Sequence, residues 1–305
     1  MVFQLRIPTL VLLLVQLLKA TSSPLVIGGN DIFDQEFLSS FPSASNPLQN
    51  TAQSDTIFPT ENNHAEPTPE STTYPSWFTS TLMARRLLAL SKTGIVSTTF
   101  PNPLRQPSHI PADVAGLSIP LPEYIADCDD SLPPSTDSNR NNNGEGNPTF
   151  LALHVGTTFR NTAAGSNISL SIDWWDHLSE TNPIYPGFPL SAAGLPRVTL
   201  FGYVEPFPDL DEDEDEETER ALEECFFRAH PDARAWAPRN KDSPHASFWA
   251  RMVVTRVYWI GGFGDVQRIG WIDVDDWKGV RGDHSLPGVG DGRGWMDVRL
   301  PGEKE

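Results

Sequence analysis

The chain has 305 residues, of which 22 are basic and 40 are acidic, so its formal net charge at pH 7 is −18. A chain this acidic has no basic stripe for a phosphate backbone, which excludes nucleic acid as an expected partner. Its 28 prolines are unevenly distributed along the chain. We therefore expect one folded domain flanked by loose segments, rather than two domains.

The first 22 residues have the pattern of a secretory signal peptide. Arg6 supplies positive charge, an apolar run extends from Leu10 to Leu18, and small residues follow from Ala20 to Ser23. A transmembrane helix needs about 20 apolar residues, so this run is too short for a membrane span. The sequence therefore predicts export, to the extracellular space or an endomembrane lumen.

Residues 23–73 are rich in Ser, Thr, Asn and Pro, which predicts a disordered linker.

Residues 74–280 contain the predicted domain. Met83, Leu87 and Leu90 recur at helical spacing, which predicts a helix from Leu82 to Lys92 with its N-cap at Ser80 or Thr81. Short apolar or alternating runs between Pro- and Gly-rich segments are typical of strands. We expect strands at Ile95–Phe100, Leu117–Asp127, Phe150–Val155, Asn167–Trp174 and Val198–Phe207.

Two of these strands carry signs of their place in a sheet. Pro120 and Pro122 lack an N–H, so the second strand is predicted to be an edge strand. Gly202 interrupts the fifth strand, which favours a β-bulge there.

A helix is expected from Glu216 to His230, and Pro231 ends it. An acidic run precedes the helix, and its like charges favour a solvated loop. We expect residues 281–305 to be a flexible tail.

The central element of the prediction is Phe248–Ile260, which contains no Gly or Pro. Both of its alternating faces are mostly apolar, so it is predicted to be a strand covered on two sides. Glycines then break the ladder, and a return strand is expected over Val266–Ile272. Six or seven strands with helices at the rim predict an α+β fold built on an antiparallel β-barrel.

Two cysteines, Cys128 and Cys225, leave two alternatives open. They either form one disulfide, which suits an exported protein, or remain two buried thiols. No second cysteine or paired histidine lies at ligand spacing, so no metal site is expected. No nucleophile elbow is present, and the glycines near the C-terminus do not have the context of a dinucleotide site. We identify no catalytic residues.

The candidate ligand site is the segment Thr157–Asn161, which follows a predicted strand. Thr157 and Thr158 offer hydroxyl donors, Arg160 offers a guanidinium, and Arg197, just before the fifth strand, is expected to assist as a second cation. This set suits a phosphate group, and the alternative is an ordinary polar turn. Separately, the sequon beginning at Asn167 is a candidate glycosylation site in an exported chain.

The order of segments resembles the CREG-like family, secreted glycoproteins within the pyridoxamine 5′-phosphate oxidase-like, FMN-binding split-barrel superfamily. The resemblance covers about residues 75–280 and has five parts. These are ARRLLALSKTGIVST at 84–98, PTFLAL at 148–153, RVTLFGYVEP at 197–206, CFFRAHPDARAW at 225–236 and FWARMVVTRVYWIGGFGD at 248–265. It implies a split barrel and a homodimer. The long linker, the polar insertion at 131–147 and the acidic run indicate a divergent branch, with fungi as one candidate source.

The resemblance also bears on cofactors. In flavin-using relatives a Ser/Thr and Arg/Lys cluster after the third strand grips the FMN phosphate, and Thr157, Thr158 and Arg160 match that place. The second basic residue of that cluster is missing here. Members of the CREG-like family are thought to have lost flavin and oxidase activity, so the resemblance implies no bound cofactor, with FMN as the alternative.

Two main hypotheses follow. The first is an exported, non-catalytic split-barrel protein that acts by binding a protein or ligand. The second is an FMN-dependent oxidoreductase, in which flavin would supply the redox chemistry. A third hypothesis is a carbohydrate-binding or adhesion module using Trp174 and Trp175 as exposed aromatic residues.

Overall fold

The computed structural model describes residues 75–104, 109–133, 144–183, 186–207, 216–264, 266–280 and 297–304. The predicted signal peptide, the predicted linker and most of the acidic run lie outside the described residues. Within the described ranges the helices are α1 (Trp77–Leu90), α2 (Thr157–Ala163), α3 (Glu216–Ala229) and α4 (Val274–Gly279). The strands are β1 (Thr93–Thr99), β2 (Ser118–Tyr124), β3 (Thr149–Leu153), β4 (Ile168–Asp173), β5 (Arg197–Pro206), β6 (Ser247–Ile260) and β7 (Ile269–Ile272).

The seven strands form one antiparallel sheet in the order β2-β1-β4-β5-β6-β3, with β7 also paired to β6. The long strand β6 is central, as predicted: it pairs with β5 along its length, with β3 over its first part and with β7 over its last part. The predicted bulge is confirmed by a register shift between Phe201 and Gly202. A Cβ added to Gly202 would lie 1.9 Å from the Val253 carbonyl oxygen, so only glycine fits this close approach.

The two end strands of the sheet meet in a seam that closes the barrel at one end only. Ala126, just after β2, and Thr149, at the start of β3, exchange both backbone hydrogen bonds, at 3.2 and 2.8 Å. Within the described residues this is an isolated bridge, and β2 and β3 are not paired beyond it. The predicted α+β, six- to seven-stranded split barrel with flanking helices is therefore confirmed.

Two large buried apolar clusters stabilise the described domain, beside a third cluster of only two buried residues. The larger fills the barrel and includes Leu88, Val96, Leu170 and Trp259. The smaller lies beneath α3 and includes Phe226 and the two cysteines. Cys128 and Cys225 form a disulfide, with 5.8 Å between their Cα atoms, which joins the residues just after the seam to α3. Of the two alternatives left open by the sequence, the structure selects the disulfide.

Some boundaries differ from the predictions for local reasons. Helix α1 begins at Trp77 because the Ser76 hydroxyl accepts a hydrogen bond from the Thr79 N–H at 3.0 Å, which makes Ser76 the N-cap. The expected caps, Ser80 and Thr81, are buried within the helix. Strand β7 starts three residues later than expected, because Val266 and Gln267 donate to the Phe263 carbonyl in a turn.

The last described segment, 297–304, differs from the flexible tail that we expected. Leu300 is buried, Asn182 donates its backbone N–H to Gly302 at 2.7 Å, and Arg86 forms an ion pair with Glu303. Val298 and Leu300 are too few apolar residues to show a period, so the sequence pattern does not indicate this contact. The preceding residues, 281–296, lie outside the described residues.

Candidate functional site

The predicted phosphate-binding segment folds as helix α2, directly after β3. A turn in which Gly156 donates to the Leu153 carbonyl at 2.9 Å connects the strand to the helix. The helix sends its predicted site residues in different directions. Thr158 is 1 % exposed, Thr157 is half-buried and Arg160 is exposed. The buried Thr158 side chain therefore does not share a surface with the exposed Arg160 side chain.

The Thr158 hydroxyl is already occupied by a carboxyl group from β2. It donates a hydrogen bond to Oε1 of Glu123 at 2.5 Å. Burial raises the pKa of Glu123, and the hydrogen bond from Thr158 opposes that shift only in part. An acidic side chain thus lies where the sequence analysis expected a phosphate, and its negative charge would repel one.

Arg197 does not join the other three predicted residues. Helix α2 is anchored at the Ile168 end of β4, where Asn161 donates to the Thr98 hydroxyl at 2.9 Å. Arg197 pairs with Asp173 at the other end of β4, about 17 Å away by strand geometry. Its guanidinium lies 5.9 Å from the ring of Trp175. The four predicted site residues therefore do not form a single cluster.

A cavity of about 570 Å³ borders the outer side of α2. Thr157 and Arg160 line it, and its other walls are largely apolar, including Phe100, Ile110 and Val114. Its lining offers one guanidinium, from Arg160, and one imidazole, from His109, with no lysine or second arginine. Of the three residues predicted on α2, Thr157 and Arg160 face this cavity and Thr158 does not.

A second cavity, of about 210 Å³, lies where the seam between β2 and β3 opens. We call it the seam cleft. It is lined by Pro122, Glu123, Tyr124, Leu151, Leu153, Gly156, Phe159 and Trp236. Three aromatic side chains and one carboxyl group therefore surround a space that also reaches the start of α2. None of these residues is among the site residues predicted from the sequence.

The Tyr124 ring is held in place from two sides. It stacks on the His230 ring, with the centroids 4.2 Å apart, and its hydroxyl donates to Oδ2 of Asp232 at 2.9 Å. The hydrogen bond and the negative charge of Asp232 raise the pKa of Tyr124. His230 is buried, and its Nε2 bonds the Ile125 carbonyl at 2.9 Å. The His-Pro pair thus ends α3, as predicted, and also supports one wall of the seam cleft.

A buried charged cluster lies at the closed end of the seam. Asp129 is fully buried, and its Oδ2 accepts a hydrogen bond from the Asn147 N–H at 2.9 Å. Burial raises the pKa of Asp129 to about 6, although the Asn147 bond and the positive charges of Arg251 and Arg85 act in the opposite direction. Asn147 in turn accepts from the Val254 N–H of β6 at 3.0 Å. This cluster links three segments of the barrel, so its role is structural.

The outer face of the sheet carries an aromatic patch, made of Phe201 on β5, Tyr258 on β6 and Trp271 on β7. Trp271 is 59 % exposed, and its ring lies 5.7 Å from Phe201 and 5.0 Å from Tyr258. Ile269, also exposed, extends the patch along β7. A cluster of this kind on a sheet face is typical of an interaction surface.

The remaining candidates have simpler environments. Trp174 is 7 % exposed, so the third hypothesis, which required both Trp174 and Trp175 on the surface, loses one of its two residues. Asn167 is exposed just before β4, where a glycan would have room.

Across the described ranges, no group of three or more His, Cys, Asp or Glu side chains is placed to hold a metal ion. None of the described helices is long and apolar enough to cross a membrane.

Comparison with known proteins identifies one family. The family described as "CREG, beta-barrel" matches residues 78–278. No curated protein sequence matches the chain.

Solved structures resemble the chain at low identity. A heme-binding protein from Mycobacterium smegmatis is 17 % identical with a TM-score of 0.43, over 68 % of this chain and 62 % of that protein. An FAD-binding protein from Mesorhizobium loti is 14 % identical with a TM-score of 0.32, over 58 % and 90 % of the two chains. A pyridoxinephosphate oxidase family protein from Clostridium acetobutylicum is 12 % identical with a TM-score of 0.31, over 57 % and 82 %. At these scores the neighbours carry no argument about what this chain binds.

Proposed function

The chain belongs to the CREG beta-barrel family, and from that premise we propose that it is an exported split-barrel protein that acts by binding and does not use FMN. The barrel, its seam and its disulfide form a rigid frame. The disulfide is compatible with an oxidising compartment, which supports export. The exposed position of Asn167 supports its use as a glycan acceptor in that compartment.

The observation that carries the proposal is the hydrogen bond between Thr158 and Glu123. A phosphate site at the start of α2 would need the Thr158 hydroxyl and an electropositive surround. The protein's own carboxyl group takes that hydroxyl instead, at 2.5 Å. The first turn of a helix favours one anion, and Glu123 already lies against it. The residues present therefore do not fit the FMN phosphate at this place.

A homodimer is part of the same proposal, supported by the aromatic patch on the outer sheet face. Burying the exposed Trp271 ring and its neighbours would contribute a few kcal/mol to association at about 25 cal/mol per Å². We expect the wild-type protein to sediment as a dimer and Trp271→Glu to sediment as a monomer. A wild-type monomer at micromolar concentration would remove the dimer from the proposal.

An FMN-dependent oxidoreductase remains the second candidate, because of the 570 Å³ cavity beside α2. Thr157 and Arg160 face that cavity, so a phosphate could meet one hydroxyl and one guanidinium there. Arg197 lies too far away to assist. This candidate therefore depends on Arg160 for its guanidinium, with His109 as the other basic side chain in the cavity lining.

A flavin titration separates the two candidates. The purified protein is mixed with FMN up to high micromolar concentration, and the flavin absorbance that stays with the protein after gel filtration is measured. We expect none for the wild type and none for Arg160→Ala. Stoichiometric flavin on the wild type, lost in Arg160→Ala but kept in the exposed-site control Arg228→Ala, would establish the oxidoreductase instead.

A further inference from the structure

The seam cleft has the composition of a site for a small organic cation. We propose that it binds an organic ammonium group, held between the rings of Tyr124, Phe159 and Trp236 and paired with the Glu123 carboxylate. This inference rests on the proposed binding function and deepens it by naming the class of ligand. Three kinds of evidence support it: the backbone of the cleft, its charge and its walls.

The backbone around the cleft offers acceptors in excess of donors. In an antiparallel ladder, alternate residues direct their N–H and C=O groups to opposite sides. Ile125 donates to Lys92 at 2.9 Å on the β1 side, whereas Ala126 bonds Thr149 across the seam. By alternation, the peptide groups of Tyr124 and Pro122 face the gap.

Proline has no N–H, so Pro122 brings a carbonyl oxygen to the gap without a donor. Leu151 on β3 faces the same gap from the other side, two residues beyond the bridging Thr149, and among the described strands only β6 pairs with β3. A ligand that carries several N–H donors, or a positive charge, suits such an edge. A ligand made only of acceptors does not.

The charge of the cleft is negative and uncompensated by its lining. Glu123 is the single charged side chain among the eight lining residues, and it accepts a hydrogen bond from the neutral Thr158 hydroxyl. The carboxylate of Asp232 lies just behind Tyr124, bonded to its hydroxyl at 2.9 Å. A cation in the cleft would therefore pair with Glu123 and meet a second negative charge nearby. The net charge of −18 attracts cations over a longer range.

The walls of the cleft suit a cation better than a neutral polar group. The ring centroids of Tyr124 and Trp236 lie 6.3 Å apart at an angle of 37°, and Phe159 and Leu151 also line the cleft. Aromatic faces attract ammonium groups through the ring quadrupole, and more strongly when the group is desolvated. A volume of about 210 Å³ is below the usual range of about 300–1,000 Å³ for drug-sized ligands, so it admits one head group and not a larger molecule.

The test compares ammonium probes with neutral molecules of the same shape. Choline is matched by 3,3-dimethylbutan-1-ol and butylammonium by butan-1-ol, and each is titrated into the full exported chain by calorimetry or NMR. The two pairs distinguish a quaternary from a primary ammonium group. We expect saturable binding of at least one ammonium probe, at least about tenfold tighter than its neutral counterpart.

Variants locate the binding. Glu123→Gln keeps an acceptor for Thr158 and removes the charge, and we expect it to weaken ammonium binding about tenfold or more without affecting the neutral probe. Trp236→Leu removes one aromatic face and should weaken the same probe. Asp113→Asn, which removes an exposed charge from a residue that does not line the cleft, is the control and should change affinity less than about twofold. Thermal unfolding confirms that each variant is folded.

Three outcomes would overturn the proposal: no saturable ammonium binding, equal binding of the neutral analogues, or unchanged affinity in both Glu123→Gln and Trp236→Leu. These outcomes leave the proposed function standing, because that function fails only if the wild type retains flavin. If Glu123→Gln does not fold, the pH dependence of ammonium binding to the wild type replaces the variant as the test. Ammonium affinity should then fall on acidification, as Glu123 becomes protonated, and a pH-independent affinity would count against the cleft.

Discussion

The two ends of the seam between β2 and β3 place two carboxyl groups in opposite situations. At the closed end Asp129 is fully buried, hydrogen-bonded to Asn147 and close to the charges of Arg85 and Arg251. At the open end Glu123 is half-buried and bonded to the neutral Thr158. The acid at the closed end thus helps to hold the barrel together, and the acid at the open end faces a cavity. A carboxylate in this barrel is structural where the fold places arginines beside it. It is available for a ligand where no cation lies beside it.

The largest expected effect is the loss of a cation from the closed end. Arg85 donates to the carbonyls of Trp277 and Gly144, both at 2.8 Å, and lies 5.2 Å from the Trp277 ring. Arg85→Met would leave Asp129 with one fewer buried positive charge and two carbonyls without a donor. We expect a loss of about 4 kcal/mol in the free energy of unfolding in urea. Arg160→Met, at an exposed position, is the matched control and should cost less than about 0.5 kcal/mol.

The disulfide should come next in size. It closes a separation of 97 residues and fastens the segment after the seam to α3. Replacing both Cys128 and Cys225 by alanine should cost about 3 kcal/mol, because the unfolded chain gains freedom. Urea unfolding with and without reductant measures it: the wild type should lose stability in reductant and the double variant should not. Equal stability of the oxidised and reduced wild type would show that the seam does not depend on the bond.

Acid should stabilise the closed end. Burial raises the folded-state pKa of Asp129 from the ordinary value of 3.8 to about 6, so the folded protein holds the proton more tightly than the unfolded chain. The stability from this group is full below about pH 4 and is lost as the pH rises through about 6. Relative to Asp129→Asn, the wild type should therefore gain up to about 3 kcal/mol between pH 7 and pH 4. Unfolding curves of both proteins across this range check the sign, and a gain toward neutral pH would contradict it.

The smallest expected effect is at the open end. Glu123→Gln keeps the hydrogen bond with Thr158 and removes a charge that no cation among the lining residues offsets, so the free energy of unfolding should change by less than about 1 kcal/mol. Urea unfolding at pH 7 measures it beside Asp129→Asn. A loss as large as that of Arg85→Met would show that Glu123 is structural too, and the contrast between the ends would disappear.

The sequence predicted the parts of the fold that depend on local pattern. Strand β6 was recognisable because both of its faces are apolar, and the bulge at Gly202 because a strand rarely tolerates a glycine without one. Pro120 and Pro122 marked β2 as an edge strand, and it is one end of the sheet. These signals arise within a few residues of each other.

The candidate site was predicted less well because its contacts are distant in sequence. Thr158 and Glu123 are 35 residues apart, and nothing in either segment indicates the other. Arg197 was chosen for its charge, but the length of β4 separates it from α2. The prolines of β2 and the aromatic residue beside Glu123 were signals that could have indicated a cleft at this edge. Their meaning depends on the seam, which only the assembled sheet reveals.

The most direct test of the account is the pKa of Glu123 itself, measured by carboxyl ¹³C NMR in the wild-type protein with and without a saturating ammonium probe. Without the probe, burial should hold this pKa above the ordinary value for glutamate. With choline or butylammonium the pKa should fall, because a bound cation favours the carboxylate, and FMN should leave it unchanged. A pKa that no ammonium probe lowers, or that rises when FMN is added, would contradict the account.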